Sequence, residues 1–201
     1  MKLPSLLQPR IIKEAIKALI KGPYTSKFPF KPHTPFERFR GKPEFHHEEC
    51  VGCGACVQVC PAGALSLEDK GDKRILTVRW DTCIFCGNCQ ANCLTEKGII
   101  LSKEFDLATT GKREELFQSI EKELVRCSFC KEIIAPSDQL IWVAKKLGTM
   151  LFSNTSLMLF YLSKEKLAEI KSLPDKELPT LRSDRFHILC PKCRREAVIK
   201  S

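Results

Sequence analysis

The chain has 201 residues, 43% of them apolar, with 12 cysteines and a formal net charge of +9. No stretch reaches the roughly 18 uninterrupted apolar residues of a membrane span. The nearest candidate, Met150 to Leu162, is short and broken by Ser153, Asn154, Thr155 and Ser156, so the chain is not expected to cross a membrane by itself. Cysteine at this density without a signal-peptide pattern points to a reducing, intracellular compartment and away from a secreted disulfide scaffold. The length allows one or two small domains.

Charge is unevenly placed. Residues 1–43 hold 10 Lys/Arg and 2 Asp/Glu, whereas residues 44–201 hold 23 and 22. A basic arm thus precedes a near-neutral body, which suggests an anionic surface or partner near the N-terminus. In residues 5–21, Ile12, Ile16, Leu19 and Ile20 recur at three- and four-residue spacing beside Ile11 and Ala15. Arg10, Lys13, Lys17 and Lys21 fill much of the other side, and Gly22-Pro23 stops the helix. A basic amphipathic helix of this kind suits a membrane interface or the surface of a neighbouring subunit. Residues 23–43 then hold Pro23, Pro29, Pro32, Pro35 and Pro43 interleaved with Phe28, Phe30, Phe36 and Phe39. Such a segment reads as a semi-rigid extended strap whose aromatic side chains anchor in a partner.

The central signal is a repeat. Cys50, Cys53, Cys56 and Cys60, followed by Pro61, spell C-x2-C-x2-C-x3-C, and Cys83, Cys86, Cys89 and Cys93 repeat it 33 positions on. Three cysteines at this spacing wrap three corners of a cubane, and the fourth of each run reaches the other cluster. The spacing therefore assigns cluster I to Cys50, Cys53, Cys56 and Cys93, and cluster II to Cys83, Cys86, Cys89 and Cys60. Gly52, Gly54 and Gly87 keep side chains away from the inorganic core, while Val51, Val57, Val59, Ile84 and Phe85 are suited to excluding water. Disulfides or structural zinc would not require two matched copies. The second copy departs in one place, with Leu94 where proline follows the first run.

Between the runs, Leu65–Leu67 and Ile75–Trp80 flank Glu68–Arg74 and predict a β-hairpin. Ile99-Ile100-Leu101 matches Ala64–Leu67 of the first copy and predicts the related strand. Over residues 112–126, Leu116, Ile120, Leu124 and Val125 suggest a helix. The remainder opens with Cys127 and Cys130 and closes with Cys190 and Cys193, two C-x2-C knuckles separated by 59 residues. Four thiolates suit a structural zinc ion at about 2.3 Å or a single rubredoxin-like iron, with helices expected at Ser137–Leu147 and Ser163–Leu173 between the knuckles. His46 and His47 read as exposed loop residues before the first run, His33 and His187 have no partner visible in the sequence, and the Arg194-Arg195 pair is a weak patch for nucleic acid.

Residues 38–107 resemble the two-cluster ferredoxin-type subunit of respiratory complex I and of membrane-bound, energy-converting NiFe hydrogenases. The Phe39-Arg40-Gly41-Lys42-Pro43 lead-in, both cysteine runs and the Leu101-Ser102-Lys103-Glu104-Phe105 tail carry the likeness. With the C-terminal knuckles added, the chain is most similar in organisation to the formate hydrogenlyase version. The resemblance implies a non-catalytic electron relay on the cytoplasmic face of the membrane, held peripherally with its basic helix along the surface. Its partners would be a small cluster-bearing subunit, a NiFe-type large subunit, a membrane subunit, and a donor such as ferredoxin or a formate-oxidising module. Related complexes reducing sulfur or quinone would use much the same subunit. A free soluble ferredoxin would need neither strap nor basic helix, and a nucleic-acid-binding role conflicts with the near-neutral C-terminal body.

The expected architecture is thus α+β: residues 1–43 as amphipathic helix and docking strap, 44–110 as a bacterial-type ferredoxin core with two 4Fe–4S clusters, and 111–201 as a four-cysteine zinc-ribbon or rubredoxin-like lobe with a helical insert.

Overall fold

The computed structural model describes residues 9–22, 25–111, 113–169 and 186–199. Two compact units are present, residues 1–39 and 40–201. In the first, helix α1 (Pro9–Lys21) carries its apolar stripe on an exposed surface, with Leu19 at 85% and Ile20 at 80%. Gly22, in the left-handed region at φ 74°, ends the helix, and its N–H donates to the Ala18 carbonyl at 2.9 Å. In the strap, Phe36 and Phe39 pack edge to face with ring centres 5.9 Å apart. The helical expectation for residues 5–8 lies outside the described residues.

In the second unit, β1 (Pro43–Phe45) pairs antiparallel with β4 (Ile99–Leu101). A four-stranded antiparallel sheet runs in the order β2-β3-β5-β6, with β2 Leu65–Lys70, β3 Lys73–Arg79, β5 Phe117–Arg126 and β6 Ile133–Pro136. The hairpin anticipated between the cysteine runs is β2–β3, closed by Gly71-Asp72 with Gly71 at φ 57°. Short helices α2 (Ala55–Gln58) and α3 (Asn88–Ala91) lie within the two cysteine runs. The core gathers Phe45, Leu65, Leu76, Val78, Ile99 and Ile120 around Cys50, Cys56 and Cys89.

Residues 117–126, expected to be helical, form strand β5 along the whole of β3, from Lys73↔Glu123 to Arg79↔Phe117. The misreading has a simple cause. Leu116, Ile120 and Leu124 are four apart, and a spacing of four satisfies both the helical turn and twice the strand period. Strand alternation, with Ile120, Lys122 and Leu124 all turned inward, was masked by the lysine in the middle. The sheet consequently crosses residue 110, where the sequence suggested a boundary. Strand β1 was not anticipated at all.

Beyond β6, α4 (Ser137–Leu147) coincides with its expected span. The next helix, α5 (Thr155–Lys164), starts earlier than expected because the Asn154 side chain accepts from the Leu157 N–H at 3.2 Å and caps it. Of the helix expected at 163–173, residues 170–173 lie outside the described residues. Helix α6 (Pro191–Ile199) ends the described chain. Among the described residues no helix is long and apolar enough to cross a membrane.

Leu76 has no exposed surface and lines a cavity together with Phe45, Ile99 and the first-run cysteines Cys50, Cys53 and Cys56. Leu76→Ala is expected to destabilise the chain by about 2–5 kcal/mol, read as a lower denaturant midpoint under anaerobic conditions.

Candidate functional site

The eight cysteines of the repeat line two cavities in sets of four. Cys50, Cys53, Cys56 and Cys93 face one, and Cys60, Cys83, Cys86 and Cys89 face another.

Two registers make the arrangement. Cys56 lies on α2 and Cys60 two residues past its end, as Cys89 lies on α3 and Cys93 two residues past its end, so each short helix and the turn after it supply one cysteine to each cavity. The strands do the same at period two. Phe45, Ile99 and Leu76 line the first cavity, while Pro43, Leu101 and Val78 line the second. Each strand thereby offers one residue to each cavity from the same face, about 7 Å apart. The cavities are therefore adjacent and bounded mainly by apolar surface.

Turn geometry follows the repeat as well. Gly54 and Gly87 precede the two helices in the left-handed region, at φ 78° and 83°. One position inside each run also needs that conformation. Gly52 supplies it in the first copy at φ 71°, whereas Phe85 adopts φ 53° in the second, at a steric cost of roughly 1–2 kcal/mol. The Phe85 N–H donates to the Cys83 sulfur at 3.4 Å.

The thiol environments suit a cationic core. Burial pushes Cys56 up to about 12 and Cys89 up to about 11. Cys50 and Cys83 are likewise raised by burial, against N–H groups of Gly52 and Phe85. Burial also acts on Cys93, but the Thr95 hydroxyl and the N–H groups of Thr95, Ile99 and Gly98 outweigh it and lower that thiol. Four thiols in a mainly apolar cavity with N–H groups aimed at sulfur fit an iron–sulfur cluster, which binds thiolate and draws hydrogen bonds to sulfur.

A third group lies in the C-terminal part. The Sγ atoms of Cys127, Cys130, Cys190 and Cys193 all fall within 4.8 Å of one another, with Cys130 and Cys190 3.7 Å apart. A tetrahedral ion at about 2.3 Å from each sulfur separates the sulfurs by about 3.8 Å, so the group fits a single metal ion. The knuckles meet because the Ser128 N–H donates to the Ile188 carbonyl at 2.8 Å, and Leu189, Ala197, Phe129 and Ile134 pack around them. At Cys127 burial raises the thiol, yet N–H groups of Cys190, Cys130 and Phe129 bring it down to about 7. Burial drives Cys193 the other way. His46, His47 and His187 face none of the three groups.

Several contributors were not singled out from sequence. Arg40 donates to the Cys86 carbonyl at 2.8 Å, Thr95 bridges the Glu49 carbonyl and the Cys93 sulfur, and Lys122 lies behind the first run. Gly98 sits between the ends of the two runs, where a Cβ would meet Cys50 Cα at 3.0 Å and Cys93 Sγ at 3.2 Å. No local pattern marks these residues, since each acts across the fold.

Two adjacent four-cysteine cavities built from an internal repeat define a dicluster ferredoxin domain. The 4Fe–4S dicluster domain family matches residues 49–97. Formate hydrogenlyase subunit 6 of Escherichia coli is 38% identical over 124 residues, which are 60% of this chain and 67% of that protein. The chain belongs to this family of 4Fe–4S dicluster subunits. NAD(P)H-quinone oxidoreductase subunit I of Gloeobacter violaceus is 30% identical over 101 residues, 47% of this chain. The match spans about half, 48%, of that relative's length. A chain from the membrane-bound sulfane sulfur reductase, an archaeal respiratory membrane complex, is 31% identical and covers 58% of this chain and 62% of its own, with a TM-score of 0.40.

Because Gly98 lets both runs close on the first cavity, Gly98→Ala is expected to cost about 1–3 kcal/mol through overpacking. It should also lower the iron-to-protein ratio after desalting, whereas Gly111→Ala, whose added Cβ would meet nothing nearer than Thr109 Oγ1 at 4.0 Å and whose φ is not in the left-handed region, should retain iron.

Proposed function

We propose that the chain is an electron-transfer subunit that relays electrons by way of two 4Fe–4S clusters inside a membrane-bound, complex I-related hydrogenase assembly of the formate hydrogenlyase type. The observation that carries this reading is the sorting of eight cysteines into two adjacent four-thiol cavities, in a chain related to a formate hydrogenlyase subunit over 67% of that protein. Cys50, Cys53, Cys56 and Cys93 would hold one cluster, and Cys83, Cys86, Cys89 and Cys60 the other. When bound, such a cluster supplies a one-electron redox centre. The chain's own residues present thiolates, keep water out with Phe45, Leu76, Val78 and Ile99, and direct N–H groups at sulfur. No residue is assigned a catalytic role.

Cys127, Cys130, Cys190 and Cys193 would hold a structural zinc or a single rubredoxin-like iron. Four protein ligands leave no open coordination position, which favours structure over catalysis. The partners in this reading are a small cluster-bearing subunit, a NiFe-type large subunit and a membrane subunit. Reduced ferredoxin or a formate-oxidising module would serve as donor. The chain would lie peripherally on the cytoplasmic face of the membrane, with α1, basic on one side and apolar on the other, at the lipid surface or on a neighbouring subunit.

An anaerobic affinity purification from gently solubilised native membranes tests the assignment. Recovery of a NiFe-type large subunit and ion-pumping-type membrane chains is expected, and recovery of this protein soluble and alone would overturn it. Single substitutions separate the centres. Cys53→Ala or Cys86→Ala should abolish electron transfer through the assembly. Cys190→Ala should instead destabilise the C-terminal helices while the 4Fe–4S electron paramagnetic resonance signals persist. Wild-type electron flow in a Cys53→Ala protein shown to lack its cluster would sink the relay.

A further inference from the structure

Lys122 occupies an inward position of β5 between Ile120 and Leu124, and only 4% of it is exposed. Strand alternation reserves that place for an apolar side chain, and a buried ammonium is costly unless it is bonded and paired. Its Nζ donates to the His47 carbonyl at 2.5 Å and to Oδ2 of Asp138 at 2.8 Å. His47 belongs to the turn that leads into Cys50, whose N–H donates to the His46 carbonyl at 2.9 Å. The lysine stem lies against the first cysteine loop, since a Cβ on Gly52 would come within 3.0 Å of its Cγ.

The ion pair is unequal. The Lys122 side chain is 4% exposed and that of Asp138 47%. Water screens the carboxylate more than the ammonium, so the two charges do not cancel in the cavity. Arg74, opposite Lys122 in register, is by contrast matched by Asp69 at 2.7 and 2.9 Å, and both of those side chains are mostly covered. At the second cavity the cation bonded to the cysteine run is Arg40, an exposed side chain on the Cys86 carbonyl. A fixed buried positive charge stabilises the reduced, more negative state of a redox centre beside it.

We infer that Lys122 sets the reduction potential of the centre held by Cys50, Cys53, Cys56 and Cys93, raising it and making two sites built from one repeat inequivalent. Lys122 is a positioning and potential-setting residue, not a ligand. The inference rests on the two-cluster reading of the repeat.

The test is a redox titration of the loaded, full-length chain followed by electron paramagnetic resonance, on wild type, Lys122→Met and Asp138→Asn. Lys122→Met should move one of the two midpoint potentials to a more negative value. Asp138→Asn should move that same midpoint to a more positive value, and the other midpoint should hold in both variants. The shift should persist in a Cys86→Ala background, which ties it to the first site. Lys122→Met with full iron and unmoved midpoints would overturn the inference, as would equal shifts of both. If Lys122→Met does not load, Asp138→Asn decides, with an upward shift in support and an unmoved midpoint against. Wild-type chains holding well under about eight irons would overturn the two-cluster reading beneath it, whereas loaded sites with unmoved potentials overturn this inference alone.

Discussion

Eight sulfurs have to reach two small volumes, and each volume must draw three from one stretch of chain and one from another. Cys60 and Cys93 each leave their own run for the opposite cavity, so neither cavity can be completed by one copy of the repeat. The strand step of two places one residue of β1, β3 and β4 at each cavity, and the turn that follows α2 or α3 carries the last cysteine of each run across.

The same geometry explains the electrostatics. Thiols gathered in an apolar cavity resist ionisation, as the raised Cys56 and Cys89 illustrate, and mutual repulsion adds to the effect of burial. Four thiolates become favourable there only with a compensating positive core, so in the proposed reading loading the site and completing the fold are one event. The C-terminal group differs in its means. There the knuckle backbone turns N–H groups toward Cys127 strongly enough to bring that thiol to about 7 against burial. The four sulfurs of that group are also close enough together for one ion to serve them all.

Much of this was legible in the residues, because cysteine spacing is a short-range code. The sorting of sulfurs, the β2–β3 hairpin and the span of α4 all follow from patterns contained within a few turns of chain. What was not legible depends on distant partners. Pro43–Phe45 is too short and too proline-led to read as a strand, yet it pairs with Ile99–Leu101 once the runs have closed. Gly98 looks like any loop glycine until Cys50 and Cys93 are brought against it. Strand β5 was misread because its apolar residues fit two periods and the residue that would have settled the matter is a lysine.

That lysine joins the misreading to the function. A charged residue in an inward strand position conflicts with local pattern, and such conflicts persist in folded proteins where something else compensates for them. Here His47 and Asp138 satisfy the ammonium, and the strand that carries it comes from outside the repeat. The repeat alone yields two closely similar sites, with Gly54 matched by Gly87, Gly52 replaced by Phe85, and matched helices and strand positions. The added strand β5 packs along the hairpin of that repeat and places Lys122 against the first cysteine run. In the proposed reading, a repeat extended in this way holds two chemically identical centres at different energies without altering a single ligand.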